Sequence, residues 1–122
     1  MRVLIADDNP VVLRALSNLL QQDPQMEVCG TAKNGKAAVE QFRRLRPDVV
    51  VLDYVMPEMN GMEAARQIHS LAPQVAVLMC TLYPSATLAK EAKKAGVTEV
   101  LFKGDLSEHL LRSVRAVVPH SG

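Results

Sequence analysis

The sequence predicts a doubly wound α/β domain, a parallel sheet held between two layers of helices. Three observations carry this. Short apolar runs alternate with stretches of helical periodicity five times over, the pattern of strand–helix units joined by right-handed crossovers. The central run, Val49–Leu52 (VVVL), is continuously apolar, as expected of a strand covered on both faces. The chain has 122 residues, enough for five such units and too few for two ordinary domains.

Each element has its own signal. Arg2–Ala6 is a short apolar strand. Pro10–Gln22 carries Val12, Leu16, Leu19 and Leu20 at helical spacing, with one of Asp7 and Asp8 helping to cap it. Glu27–Lys33 is the second strand. Asn34 starts a helix to about Leu45, with Val39 and Phe42 facing inward, and Pro47 breaks it. Val49–Leu52 is the third strand. Asn60 and Glu63 have capping-box spacing and open a helix to about Leu71. Val75–Cys80 is the fourth strand. Ser85 caps a helix to about Lys94, which Gly96 stops. Thr98–Phe102 is the fifth strand. Asp105 with Glu108 opens the last helix, with Leu110, Val114 and Val117 on one face and Pro119 at its end. Five units of this size fit the flavodoxin-like three-layer sandwich, with strand order 2-1-3-4-5. The domain is expected to span residues 1–118, with 119–122 as a tail.

Composition excludes several classes. Apolar residues make up 48% and charged residues 22%, a balance that can bury a core. The net charge of +1 gives no general pull toward nucleic acid or acidic lipid. Two Tyr, two Phe and no Trp leave no stacking platform for single strands, and no helix-turn-helix fits after residue 117. Direct nucleic-acid binding by this chain is therefore not expected. No apolar run approaches the roughly 18 residues of a membrane helix, and MRVLIADD enters a strand without a signal-peptide pattern. No membrane association and a cytoplasmic location are expected. Cys29 and Cys80 fall on the second and fourth strands, about 14 Å apart in the expected order, beyond the reach of about 7 Å for a disulfide. Both are expected to be reduced.

In open α/β sheets, ligands bind beyond the carboxyl ends of the strands, where the strand order switches. At those ends stand Asp7 and Asp8 after strand one, Asp53 after strand three, Thr81 after strand four and Lys103 after strand five. Three converging carboxylates repel one another unless a cation sits among them. An oxygen-only donor set suits Mg²⁺, which keeps open positions for phosphate oxygens. Lys103 adds a point charge and Thr81 a hydroxyl. Asp53, beside a metal-bound phosphoryl group, suits the role of nucleophile. Capping alone explains one aspartate and not three.

These residues carry a resemblance. Ile5-Ala-Asp-Asp8, Leu52-Asp-Tyr-Val-Met-Pro57 with Asn60-Gly61, Cys80-Thr81 and Phe102-Lys103 resemble the receiver domains of two-component response regulators, over essentially the whole chain. The segment from Gly96 to Val117 resembles the LuxR/FixJ-type subgroup. The resemblance implies a phosphoacceptor, not an enzyme acting on other substrates. A sensor histidine kinase would donate phosphate to Asp53. Mg²⁺ would be held by Asp8 and Asp53, by Asp7 through water, and by the Val55 carbonyl. Thr81 and Lys103 would hold the phosphoryl oxygens. The surface of the fourth helix, fifth strand and fifth helix would then shift and change partners. Output through a DNA-binding domain absent from this chain, and homodimerisation across the first and fifth helices, are further implications.

The sequence also departs from that pattern. Val100 stands where the family usually has a Tyr or Phe that moves with the threonine. Gly104 follows Lys103 where many members have proline in a cis bond; with glycine a trans bond is expected, since a non-proline cis bond costs about 2.5–4 kcal/mol. Val55 and Tyr83 flank the expected path of a hydrolytic water; Val55 cannot hydrogen-bond it and Tyr83 is bulky, so slow hydrolysis is expected. Three other functions compete. A phosphatase with Asp53 as nucleophile would need a general acid where Val55 stands. Asp7 and Asp8 would repel a flavin phosphate. A phosphorylation-independent interaction module is the remaining alternative. Met56, Met59 and Met62 read as packing residues, Arg43, Arg44 and Arg46 as a solvated helix end, and His69, His109 and His120 as surface residues.

Overall fold

The computed structural model describes residues 1–117. Five parallel strands form one sheet in the order β2-β1-β3-β4-β5. In chain order the elements are β1 (Arg2–Ala6), α1 (Pro10–Gln21), β2 (Glu27–Ala32), α2 (Gly35–Leu45), β3 (Val49–Asp53), α3 (Gly61–Leu71), β4 (Ala76–Thr81), α4 (Ala86–Lys94), β5 (Glu99–Phe102) and α5 (Leu106–Val117). This is the flavodoxin-like arrangement. Pro119, His120 and the expected tail lie outside the described residues.

The period of two along each strand divides the core. Val3, Ile5, Val49, Val51, Leu78 and Cys80 face α1 and α5, where Leu13, Leu16, Leu20, Leu110 and Val114 meet them. Leu4, Val50, Leu52, Val77 and Met79 face the other layer, packed on Phe42 of α2, Ile68 of α3 and Leu88 of α4. Each such Leu or Phe, fully buried, stabilises the fold by about 1.5–3 kcal/mol. Met56 and Met62 are buried in the second layer and Met59 packs against it, so the methionines do pack.

Several boundaries differ from the sequence expectation for local reasons. Asn9, not Asp7 or Asp8, is the N-cap of α1: its side chain accepts from the Val11 N–H, and Pro10 takes the first helical position. β3 runs through Asp53 and β4 through Thr81, because those residues still pair with Cys80 and Phe102. β5 begins at Glu99; just before it, the Thr98 N–H donates to the Val77 carbonyl and the Thr98 hydroxyl accepts from the Val77 N–H. Asn60 caps α3 through the Glu63 N–H, but the Glu63 carboxylate turns to Arg66, so only half of the capping box forms. A 3-10 turn, Lys103–Asp105, runs directly into α5 from Leu106, with no capping hydrogen bond from a side chain at its start. Asn34 and Ser85 cap α2 and α4 as expected. Cys29 and Cys80 are both free.

His69 is not a simple surface residue. It is half-buried on α3, and its Nδ1 is buried without a partner among the described residues. Its ring lies against Gly96, which ends α4 with φ +91°. A Cβ at Gly96 would stand 2.2 Å from His69 Cγ. Gly96→Ala is therefore expected to destabilise the fold by about 2–3 kcal/mol, from the left-handed backbone and the overpacked ring together. Urea denaturation checks this; an unchanged midpoint would mean that the His69 ring moves aside freely.

Candidate functional site

The switch in strand order lies between β1 and β3, and the residues expected to meet there do meet. Asp7, Asp8 and Asp53 each place a carboxylate oxygen within 4.8 Å of the others. Asp7 (1% exposed) and Asp53 (6%) are buried, and Asp8 is exposed. Lys103 reaches across from the end of β5. Its Nζ lies 2.9 Å from Asp7 Oδ2 and 3.0 Å from Asp53 Oδ2. Thr81 is buried at the end of β4, and its Oγ1 accepts from the Tyr83 N–H at 3.2 Å. The hydroxyl proton remains free to be donated elsewhere.

The loops that carry these groups are tied to the sheet. The Asp7 N–H donates to the Ala32 carbonyl, while Asp7 Oδ1 accepts from the Asn9 N–H. After Asp53, the Tyr54 N–H donates to the Cys80 carbonyl and the Gly61 N–H to the Tyr54 carbonyl. Gly61 packs so closely that a Cβ would lie 2.3 Å from the Asp53 carbonyl oxygen. Val55 is 72% exposed and Tyr83 83% exposed, so both side chains stand at the open rim. Val100 is half-buried and packs against the α2–α4 core layer. Among the described residues no peptide bond is cis, as expected at Lys103-Gly104. What the sequence did not disclose is the fit at Gly104: a Cβ there would lie 2.7 Å from the Phe102 ring.

The charges are mutually dependent. Burial pushes Asp53 above the ordinary carboxylate value; the hydrogen bond from Lys103 opposes this, and the charge of Asp7 adds to it. Burial alone would push Lys103 down, but its hydrogen bonds to Asp7 and Asp53 outweigh that and hold it above the ordinary lysine value. Burial, reinforced by the Asp53 charge, pushes the Cys80 thiol up to about 12. Two buried carboxylates, one exposed carboxylate and a single ammonium leave an excess of negative charge. All the donors are oxygen, which fits a hard divalent cation such as Mg²⁺ and not a thiolate- or imidazole-seeking metal.

Comparison with known proteins agrees with this geometry. Residues 3–115 match the family model described as the response regulator receiver domain. The chain is 36% identical over 122 residues to the transcriptional regulatory protein LnrK of Bacillus subtilis (strain 168), covering all of this chain and 54% of that protein. It is 36% identical over 102 residues to the chemotaxis protein CheY of Thermotoga maritima, covering 84% of each. The response regulator domain of Thermotoga maritima CheB superposes with a TM-score of 0.88 at 30% identity, over 96% of this chain and 95% of that one. The chain thus spans about half the length of LnrK and most of CheY. Relatives of such different kinds do not single out the LuxR/FixJ-type subgroup.

Proposed function

The chain belongs to the response regulator receiver domain family, and on that premise we propose that it is a phosphoacceptor switch in which Asp53 takes a phosphoryl group from a sensor histidine kinase. The observation that carries this is the bridge made by Lys103 between Asp7 and Asp53, with Asp8 within reach of both. The Asp53 carboxylate attacks phosphorus, the phosphorus–nitrogen bond of the donor breaks, and its electron pair leaves with the imidazole. Lys103 then balances charge on the phosphoryl oxygens, and Thr81 donates its free hydroxyl proton to one of them. Asp8 and Asp53, Asp7 through water and the Val55 carbonyl are the residues that would hold Mg²⁺, which supplies charge neutralisation. The chemistry asks for positioning and neutralisation and for no further reacting group on the chain.

A groove of about 470 Å³, lined by Val11, Val12, Ala15, Leu19, Gly104 and Leu106, opens beside Lys103 and suits the approach of a donor helix. The exposed Val11 on α1 also suits pairing of two copies across α1 and α5. Transcriptional output through a further domain, and membership of the LuxR/FixJ-type subgroup, extend the same reading. Val100 favours one alternative, a module that works without phosphorylation, because no aromatic ring is there to swing with Thr81.

The test is intact-mass spectrometry after incubation with acetyl phosphate. A single phosphoryl group is expected, only when Mg²⁺ is present, and it is expected to decay over minutes or longer because the Val55 side chain cannot hydrogen-bond a hydrolytic water and Tyr83 is bulky. Absence of any adduct would favour the phosphorylation-independent module. Decay within seconds would sink the slow-hydrolysis expectation alone.

A further inference from the structure

The loop between β3 and α3 carries a backbone conformation that its sequence does not favour. Glu58 has φ +66°, in the left-handed region that a residue with a Cβ avoids. Such a residue persists only where its surroundings hold it; here the Met59 N–H donates to the Pro57 carbonyl at 2.7 Å, a tight turn over Glu58, and a second segment grips its side chain. The Asn34 side-chain amide donates from Nδ2 to Glu58 Oε2 at 2.8 Å. One residue on, the Gly35 N–H donates to the Met59 carbonyl at 3.0 Å. The two backbones are so close that a Cβ on Gly35 would lie 2.1 Å from that oxygen. Asn34 meanwhile uses its other side-chain atom, Oδ1, to accept from the Ala37 N–H and cap α2.

Asn34 thus does two things at once. It caps α2, in the second layer of helices, and it grips the loop that follows Asp53. That loop is also tied at its near end, by the Tyr54 N–H to the Cys80 carbonyl and the Gly61 N–H to the Tyr54 carbonyl, and it buries Met56 in its middle. Val55 lies between those points, with its side chain in solvent. Its carbonyl is placed chiefly by the course of the loop. We propose that the Asn34–Glu58 pair is a positioning clasp for the phosphoacceptor site: by holding Glu58 left-handed it sets the course of residues 54–58, and hence the Val55 carbonyl and the Asp53 carboxylate, for a divalent cation. This rests on the reading of Asp8, Asp53 and Val55 as the metal-holding set.

The clasp makes a prediction opposite in sign to simple electrostatics. Asn34→Asp keeps an oxygen to cap α2 but removes the donor and sets two carboxylates against each other. If Asn34 mattered only through space, the added negative charge would tighten Mg²⁺ binding. With the clasp, Mg²⁺ binding weakens, by roughly tenfold as is usual for groups that orient metal ligands. The double change Asn34→Asp with Glu58→Gln restores a donor and an acceptor in reversed order at the original net charge. It is expected to bring the affinity back to within about twofold of the unaltered protein, by the same scale.

The measurement is calorimetric titration of MgCl₂ into the three proteins, with thermal midpoints recorded in EDTA. The expected result is weak binding in the single variant, recovery in the double variant, and metal-free midpoints within a few degrees of one another. Equal or tighter binding by Asn34→Asp would overturn the clasp, as would failure of the double variant to recover. No Mg²⁺ binding by the unaltered protein would overturn the site reading and the clasp with it.

Discussion

Asp53→Asn is expected to lose all phosphoryl uptake from acetyl phosphate and to gain stability in the same step. The loss follows from the proposed role of Asp53 as the attacking group, for which the amide has no free carboxylate oxygen. The gain follows from burial. The Asp53 carboxyl is held above its ordinary value, chiefly because desolvation disfavours its charged form. A carboxyl raised in the folded state contributes stability that is present below its unfolded value, near 3.9, and is lost as pH rises through the folded value. At neutral pH the charged form therefore works against the fold. Asn removes that cost and one of three mutually repelling carboxylates, while Lys103 keeps its partner Asp7 at 2.9 Å. In EDTA at pH 7 the thermal midpoint is expected to rise by a few degrees, and the difference from the native protein should shrink toward pH 4. A variant that is less stable at pH 7, with the same pH slope as the native protein, would contradict this account of the site's electrostatics.

Lys103→Met carries the second large effect, and its components differ in sign. Methionine keeps much of the stem but leaves Asp7 and Asp53 without the ammonium that bridges them. Unpaired buried charge is expensive, and the metal-free protein is expected to lose about 2–3 kcal/mol. Mg²⁺ should bind more tightly, because the ammonium no longer occupies oxygens that the cation needs. Phosphoryl transfer should nonetheless slow by about 100-fold or more, the usual cost of removing one preorganised donor from developing charge. Calorimetry and intact-mass time courses separate the two. Tighter metal with slower transfer assigns Lys103 to the phosphoryl group; transfer at the native rate would leave it as a structural cation only.

Most of the architecture was legible because it rests on periodicity. The unbroken run at Val49–Leu52 could only be a strand covered on both sides, and the strand ends then placed Asp7, Asp8, Asp53, Thr81 and Lys103 along one rim. What escaped was set by contacts between distant segments. The cap of α1 was readable in principle: Asn9 immediately before Pro10 is an N-cap followed by proline at the first helical position. Two carboxylates next to it drew the reading away. The buried face of His69 was not readable, because it depends on Gly96 arriving from the end of α4 with φ +91°. Nor was the Asn34–Glu58 bond, whose partners are 24 residues apart. Local sequence announces caps and breaks; it does not announce which loop a cap residue's spare atom will hold.

Cys80 pairs in register with Asp53 on the neighbouring strand. Once phosphorylated, that aspartate would be a mixed anhydride, with an acyl carbon open to sulfur attack. A thiolate at this spot would divert the stored group into a thioester and free phosphate. Burial, with the thiol pushed up to about 12, leaves sulfur protonated and a poor nucleophile at neutral pH. The same burial that makes Asp53 costly to ionise would thus insulate a phosphoryl group proposed there from self-acylation by its own neighbour.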